Sequence, residues 1–93
     1  MITPLLTSNA QLFDYLRDLA TELQEHSETQ AADVILAASK FVSGSPSEFL
    51  HESRAALVKV QSTCKESLSP LLLERMSVVV NQIDDAFRRI GGA

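Results

Sequence analysis

The chain has 93 residues, of which 45% are hydrophobic, and these values predict a single globular domain over residues 1–93. The net charge is −4 and the eight Lys and Arg residues are scattered, which excludes nucleic acid and anionic membranes as expected partners. No apolar run approaches the ~20 residues of a membrane span, no signal peptide is recognisable, and the single cysteine suits a reducing compartment, so we expect a cytoplasmic protein.

The first half of the chain predicts two helices separated by a polar turn. Helix 1 covers residues 9–26, begins at a Ser8 cap and repeats leucine at helical spacing. A polar run then interrupts the apolar pattern. Ser27 with Gln30 predicts a capping box at the start of helix 2, which covers residues 29–43.

The second half predicts two more helices, each introduced by a serine followed by a proline. Gly44 suits the left-handed position that ends helix 2, and Ser45 caps helix 3 over residues 46–67. Ser69 caps helix 4 over residues 70–90 in the same way. Four helices with short connections predict an all-α fold, an up-down-up-down antiparallel four-helix bundle.

Helix 4 has the widest apolar face, and we expect it to be the central helix of the bundle. Its heptad seam consists of Leu73, Met76, Val80, Ile83, Phe87 and Ile90, flanked by Leu72, Val79 and Ala86. Across the four helices we expect a core that includes Leu16, Leu19, Val34, Phe41, Leu57, Val60, Val80, Ile83 and Phe87.

Catalytic and metal-binding patterns are weak in this sequence. Glu48 and His51 have the E-x-x-H spacing of di-iron bundles, but only one such motif is present, so no metal site is expected. Cys64 lies on the apolar stripe of helix 3 without a basic cluster, which is typical of a buried structural thiol. We therefore expect no enzyme, no cofactor and no small-molecule substrate.

The run His51-Glu52-Ser53-Arg54-Ala55-Ala56 resembles the helical motif of histidine phosphotransfer domains. In that family a histidine is followed by any residue, leucine, a basic residue, glycine and a small residue. Ser53 and Ala55 depart from this pattern at the leucine and glycine positions. The resemblance implies a four-helix phosphorelay domain in which His51 is the exposed phosphoacceptor and Arg54 stabilises the phosphate charge.

The leading interpretation is a protein-binding module. Leu71, Val78, Gln82 and Arg89 follow one another at helical spacing on the face of helix 4 away from Val80. A stripe that carries two apolar residues on an outer face indicates a contact with a protein partner or with a second copy of the chain. We therefore expect an adaptor, immunity-like or regulatory module, with phosphotransfer through His51 as the alternative.

Overall fold

A computed structural model describes residues 8–91, and the side chains of residues 8–89. Its elements are α1 (Asn9–Glu25), α2 (Thr29–Ser39), a 3₁₀ segment (Lys40–Ser43), α3 (Pro46–Thr63) and α4 (Pro70–Gly91). Over this range the chain forms helices and turns without a strand, which confirms the all-α class and the four predicted helices. The seam residue Ile90 lies outside the described side chains.

Three helices begin at the predicted serine caps. The Ser8 hydroxyl accepts a hydrogen bond from the backbone N–H of Gln11 at 3.2 Å, and Ser69 accepts one from Leu72 at 3.2 Å. Ser45 accepts a longer bond of 3.5 Å from the N–H of Glu48, behind the proline that opens α3. Each cap satisfies an N–H group that the helix itself leaves without a partner.

The turn after α1 lies where it was predicted, but its hydrogen bonding is different. Ser27 has φ 63°, in the left-handed region, and the N–H of Glu28 donates to the carbonyl of Leu23 at 2.8 Å. This is a Schellman ending, so Ser27 terminates α1 and does not cap α2. The predicted capping box with Gln30 is therefore wrong, and helix 1 ends one residue earlier than expected. The N-cap of α2 is Glu28, which makes no side-chain capping bond.

The end of helix 2 corrects two predictions. The α-helix stops at Ser39, whose hydroxyl donates to the carbonyl of Leu36 at 2.6 Å, and the chain continues as the 3₁₀ segment. Gly44 has φ −95° and ψ −150°, which is extended backbone that does not require glycine. Its N–H donates to the carbonyl of Phe41 at 3.0 Å. The 3₁₀ segment thus gives the Phe41 carbonyl a hydrogen-bond donor, so the helix can end without a left-handed residue.

Helix 3 is shorter than predicted. It ends at Thr63, and the carbonyl of Cys64 accepts hydrogen bonds from the N–H groups of Ser67 and Leu68 at 3.1 and 3.0 Å. These bonds form a turn that lets Leu68 enter the core at 5% exposure. The apolar spacing up to Leu68 thus reflects a buried turn residue as well as a helical face.

Six of the nine predicted core residues are buried. They are Leu16, Leu19, Leu57, Val60, Val80 and Ile83. The prediction was wrong for Val34, Phe41 and Phe87, which are partly buried at the edge of the core. On α4 the most deeply buried residues are Leu72, Met76, Val79 and Ile83, all at most 4% exposed. The apolar face of α4 is thus rotated towards its Leu72–Val79 flank.

The helices pack unevenly around this core. Consecutive helices approach one another closely, whereas within residues 8–91 no α-carbon of α1 lies within 8 Å of an α-carbon of α4. Polar side chains also join α3 to α4: Arg54 pairs with Asp84 at 2.7 Å, and Gln61 donates to Ser77 at 2.7 Å. None of the helices in the described part of the chain has the length and apolarity to cross a membrane.

Candidate protein-binding surface

The gap between α1 and α4 contains two surface recesses. The first, which we call the Arg89 recess, is lined by Ser8, Asn9, Leu12, Leu50, Gln82, Ile83, Ala86 and Arg89. The second, the Tyr15 recess, is lined by Tyr15, Asp18, Leu19, Glu22, Leu72 and Arg75. Both have core residues as their floor and polar residues at their rim. They follow from the separation of α1 and α4, because a closer approach of the two helices would fill them with side chains.

The predicted stripe on α4 is only partly exposed. Leu71 is 52% exposed and Arg89 is exposed, whereas Val78 and Gln82 are intermediate in burial. Gln82 and Arg89 come together in the Arg89 recess, but neither Leu71 nor Val78 lines one of the two recesses. The stripe therefore runs along α4 from an exposed leucine to the rim of the Arg89 recess.

The charges of the Tyr15 recess are divided between its two walls. Asp18 and Glu22 lie on α1, while Arg75 lies on α4. Arg89 adds a second cation to the α4 side of the gap. A molecule that lies between the helices would meet negative charge along α1 and positive charge along α4, and such a division of charge favours one orientation of a charged partner.

Tyr15 is the functional candidate that the sequence analysis missed. Its hydroxyl is buried and has no hydrogen-bond partner among the described residues. Burial raises the pKa of the phenol well above its ordinary value, an effect that nearby Arg75 partly offsets and Glu22 slightly adds to. The group therefore remains a neutral donor at physiological pH. The sequence contained one indication of this role: Tyr15 is the single tyrosine, and it lies beside the leucine face of helix 1.

His51 occupies an exposed position on α3, as a phosphoacceptor must. The nearby cation of the motif is engaged elsewhere, since the Arg54 guanidinium donates to the Asp84 carboxylate on α4 at 2.7 Å. Bringing Arg54 to a phosphate on His51 would require this ion pair to break. The arrangement thus provides the exposure that phosphotransfer needs but not a free cation beside the histidine.

Residues 8–91 contain no cluster of potential metal ligands, since no three His, Cys, Asp or Glu side chains in this range converge in a way that could hold a metal ion. The Cys64 thiol is buried and donates a hydrogen bond to Glu28 at 3.6 Å, which links the end of α3 to the start of α2. A buried thiol in such a contact is typical of a structural cysteine.

Comparison with protein-family models, with curated proteins and with solved structures finds no match to this chain.

Proposed function

We propose that this chain is a small cytoplasmic protein-binding module, without catalytic activity or cofactor, of the adaptor, immunity-like or regulatory kind. In this proposal the helices form an up-down-up-down antiparallel bundle. Two features support that arrangement: consecutive helices pack together, and the connections between them are at most six residues long. Short connections favour antiparallel neighbours because the chain has little length in which to return along the bundle.

The observation that carries the proposal is the open flank between α1 and α4. Two recesses with apolar floors lie along it, and α4 forms one wall of each. Leu71, which is 52% exposed, also lies on α4. An apolar floor with a polar rim is the usual composition of a protein interface. Concave surfaces between helices also commonly receive an amphipathic helix from a partner.

The charges of the flank indicate the partner's chemistry. A bound helix would place apolar side chains over the recesses, basic groups towards Asp18 and Glu22, and acidic groups towards Arg75 and Arg89.

A charge introduced at the stripe tests whether the partner contact extends over the outer face of α4. Leu71→Glu should leave the melting temperature nearly unchanged, because substitutions at exposed sites usually alter stability by less than about 0.5 kcal/mol. It should reduce capture of a partner from the native host at least about tenfold, since a carboxylate would enter an apolar contact. Val78→Glu should act similarly on capture, with a larger loss of stability because Val78 is partly buried.

Val58→Glu is the matched control. Val58 is the other large apolar residue that the described structure exposes, at 40%, and it lies on α3. Partners identified by mass spectrometry should be lost with Leu71→Glu and retained with Val58→Glu. If both variants capture the same proteins as the wild type, the α4 stripe is not the binding surface.

The phosphotransfer alternative rests on the exposure of His51 and makes a different prediction. Incubation with acetyl phosphate would add an acid-labile phosphate to His51, and His51→Gln would remove it. Because Arg54 is paired with Asp84, we expect the wild type to remain unlabelled. Labelling of His51 would favour a phosphorelay function over the binding module.

A further inference from the structure

A second apolar surface lies on the seam between α2 and α3. It is a shallow groove, which we call the alanine groove, lined by Val34, Ala37, Ala38, Phe41, Glu52, Ala55, Ala56 and Lys59. Four alanines keep its floor low, while Val34 and Phe41 remain only partly buried at its side. This groove is distinct from the α1–α4 flank, and no residue lines both surfaces.

Among the described residues that line the alanine groove, the charged ones are Glu52 and Lys59. They lie seven residues apart on α3, which is close to two helical turns, so they fall on one side of the helix. Neither side chain has an ion pair or hydrogen bond within residues 8–91. The groove thus carries one negative and one positive charge, both without a partner in the described part of the chain.

The spacing of these charges is symmetric about the alanines. Ala55 and Ala56 lie midway between Glu52 and Lys59, and each charge is about 5 Å from this midpoint along the helix axis at 1.5 Å per residue. In an antiparallel contact between two copies of α3, centred on the alanines, each Glu52 would lie opposite the Lys59 of the other copy. A single pair of residues would then form two equivalent ion pairs, as a two-fold interface requires.

We propose that the alanine groove is the contact surface of a homodimer, in which α3 packs antiparallel against α3 of a second copy. The small side chain of the exposed Ala55 lets the two helices approach closely at the crossing point, where its neighbour Ala56 is buried at 6% exposure. The partly buried Val34 and Phe41 supply apolar area beside it. A second copy is the occupant because the groove's charge pattern is complementary to itself under a two-fold rotation.

Charge reversal tests the pairing directly by analytical ultracentrifugation. The wild type should dimerise as its concentration rises, and Glu52→Lys or Lys59→Glu alone should raise the dissociation constant at least tenfold, because each places like charges opposite one another. Equimolar mixing of the two variants should restore the dimer as a heterodimer. The double variant Glu52→Lys with Lys59→Glu should dimerise like the wild type.

Two controls separate pairing from net charge and from loss of folding. Glu25→Lys and Lys65→Glu make the same changes of charge at exposed positions outside the groove and should leave the dimer intact. Ala55→Arg places a large side chain at the exposed crossing point and should abolish the dimer while circular dichroism stays helical. A wild type that remains monomeric at millimolar concentration, or single reversals that fail to complement each other on mixing, would overturn the proposal. Leu71→Glu should leave the dimer unchanged, so failure here is distinguishable from failure of the proposed α4 surface.

Discussion

Ile83→Ala measures how strongly the core holds α4 in its observed register. Ile83 is 2% exposed and borders the Arg89 recess as well as the core. The substitution removes three carbon groups, worth about 2.4 kcal/mol at ~0.8 kcal/mol each, before any cost of the cavity. Measured costs of such truncations run from about 2 to 5 kcal/mol. Because the recess lets neighbouring side chains close in, we expect the lower part of this range, about 2–3.5 kcal/mol.

The assay is urea unfolding followed by far-ultraviolet circular dichroism, since the chain has no tryptophan to report on unfolding. Leu71→Ala on the same helix is the matched control, and it should change the free energy of unfolding by less than about 0.5 kcal/mol because Leu71 is 52% exposed. The slope of free energy against urea should be equal in both variants. A loss below about 1 kcal/mol for Ile83→Ala, or equal losses for the two variants, would refute the register of α4.

Four further substitutions test the helix 2–helix 3 corner, the buried phenol and the ion pair. Ser45→Ala should cost about 1 kcal/mol by removing the cap, whereas Gly44→Ala should be tolerated in thermal melts because its Cβ would meet its nearest atoms at 3.4–3.5 Å. Tyr15→Phe should be neutral or stabilising, as it removes a buried unpaired hydroxyl. The pKa of Tyr15 is higher in the folded chain than in the unfolded chain, so the unfolded phenol ionises first, above about pH 10. The free energy of unfolding of the wild type should therefore fall as the pH rises above about 10. Urea titrations should show a smaller fall for Tyr15→Phe, which lacks the ionising group. Asp84→Asn should cost less than about 1 kcal/mol and lose its effect in high salt, since the pair with Arg54 is partly exposed.

The sequence predicted those parts of the fold that depend on neighbouring residues. Ser8, Ser45 and Ser69 were identified as caps because capping involves a side chain and a backbone N–H only three residues away. The left-handed residue was assigned to Gly44, whereas the structure places it at Ser27. Serine has no steric preference for positive φ, so the hydrogen bonds of the α1–α2 turn decide that conformation, and they depend on how the two helices pack.

The register of α4 shows a second limit. Its apolar positions cover a wide face, and the heptad pattern placed Leu73 and Phe87 on the central seam and Leu72 and Val79 on its flank. Burial was decided by the positions of the other helices, since Leu72 and Val79 are at most 4% exposed while Leu73 and Phe87 lie at the edge of the core. A helical pattern gives the direction of an apolar face but not the neighbour that covers each part of it.

The candidate site was predictable only in part, for the same reason. The exposure of Leu71 and Arg89 follows from their angular position on helix 4. The recesses beside them arise from the distance between α1 and α4, which no periodicity within one helix contains. Tyr15 shows the consequence: its place at the edge of the leucine face was visible, but its buried hydroxyl without a partner follows from the packing around it.

The two proposed surfaces use different edges of the helices, and this makes them separable. Arg54 and Gln61 face α4 from α3, where they bond Asp84 and Ser77, while Glu52 and Lys59 line the alanine groove on the α2 side of the same helix. A dimer formed through α3 would thus leave the α1–α4 flank of each copy open to a partner.

The dimer would then present two copies of that flank. A partner with two linked binding helices would gain affinity, because binding of the first helix raises the effective concentration of the second. Ala55→Arg should accordingly weaken capture of a bivalent partner while leaving a single-helix partner unaffected, and equal effects on both would show that the flank itself had been disturbed.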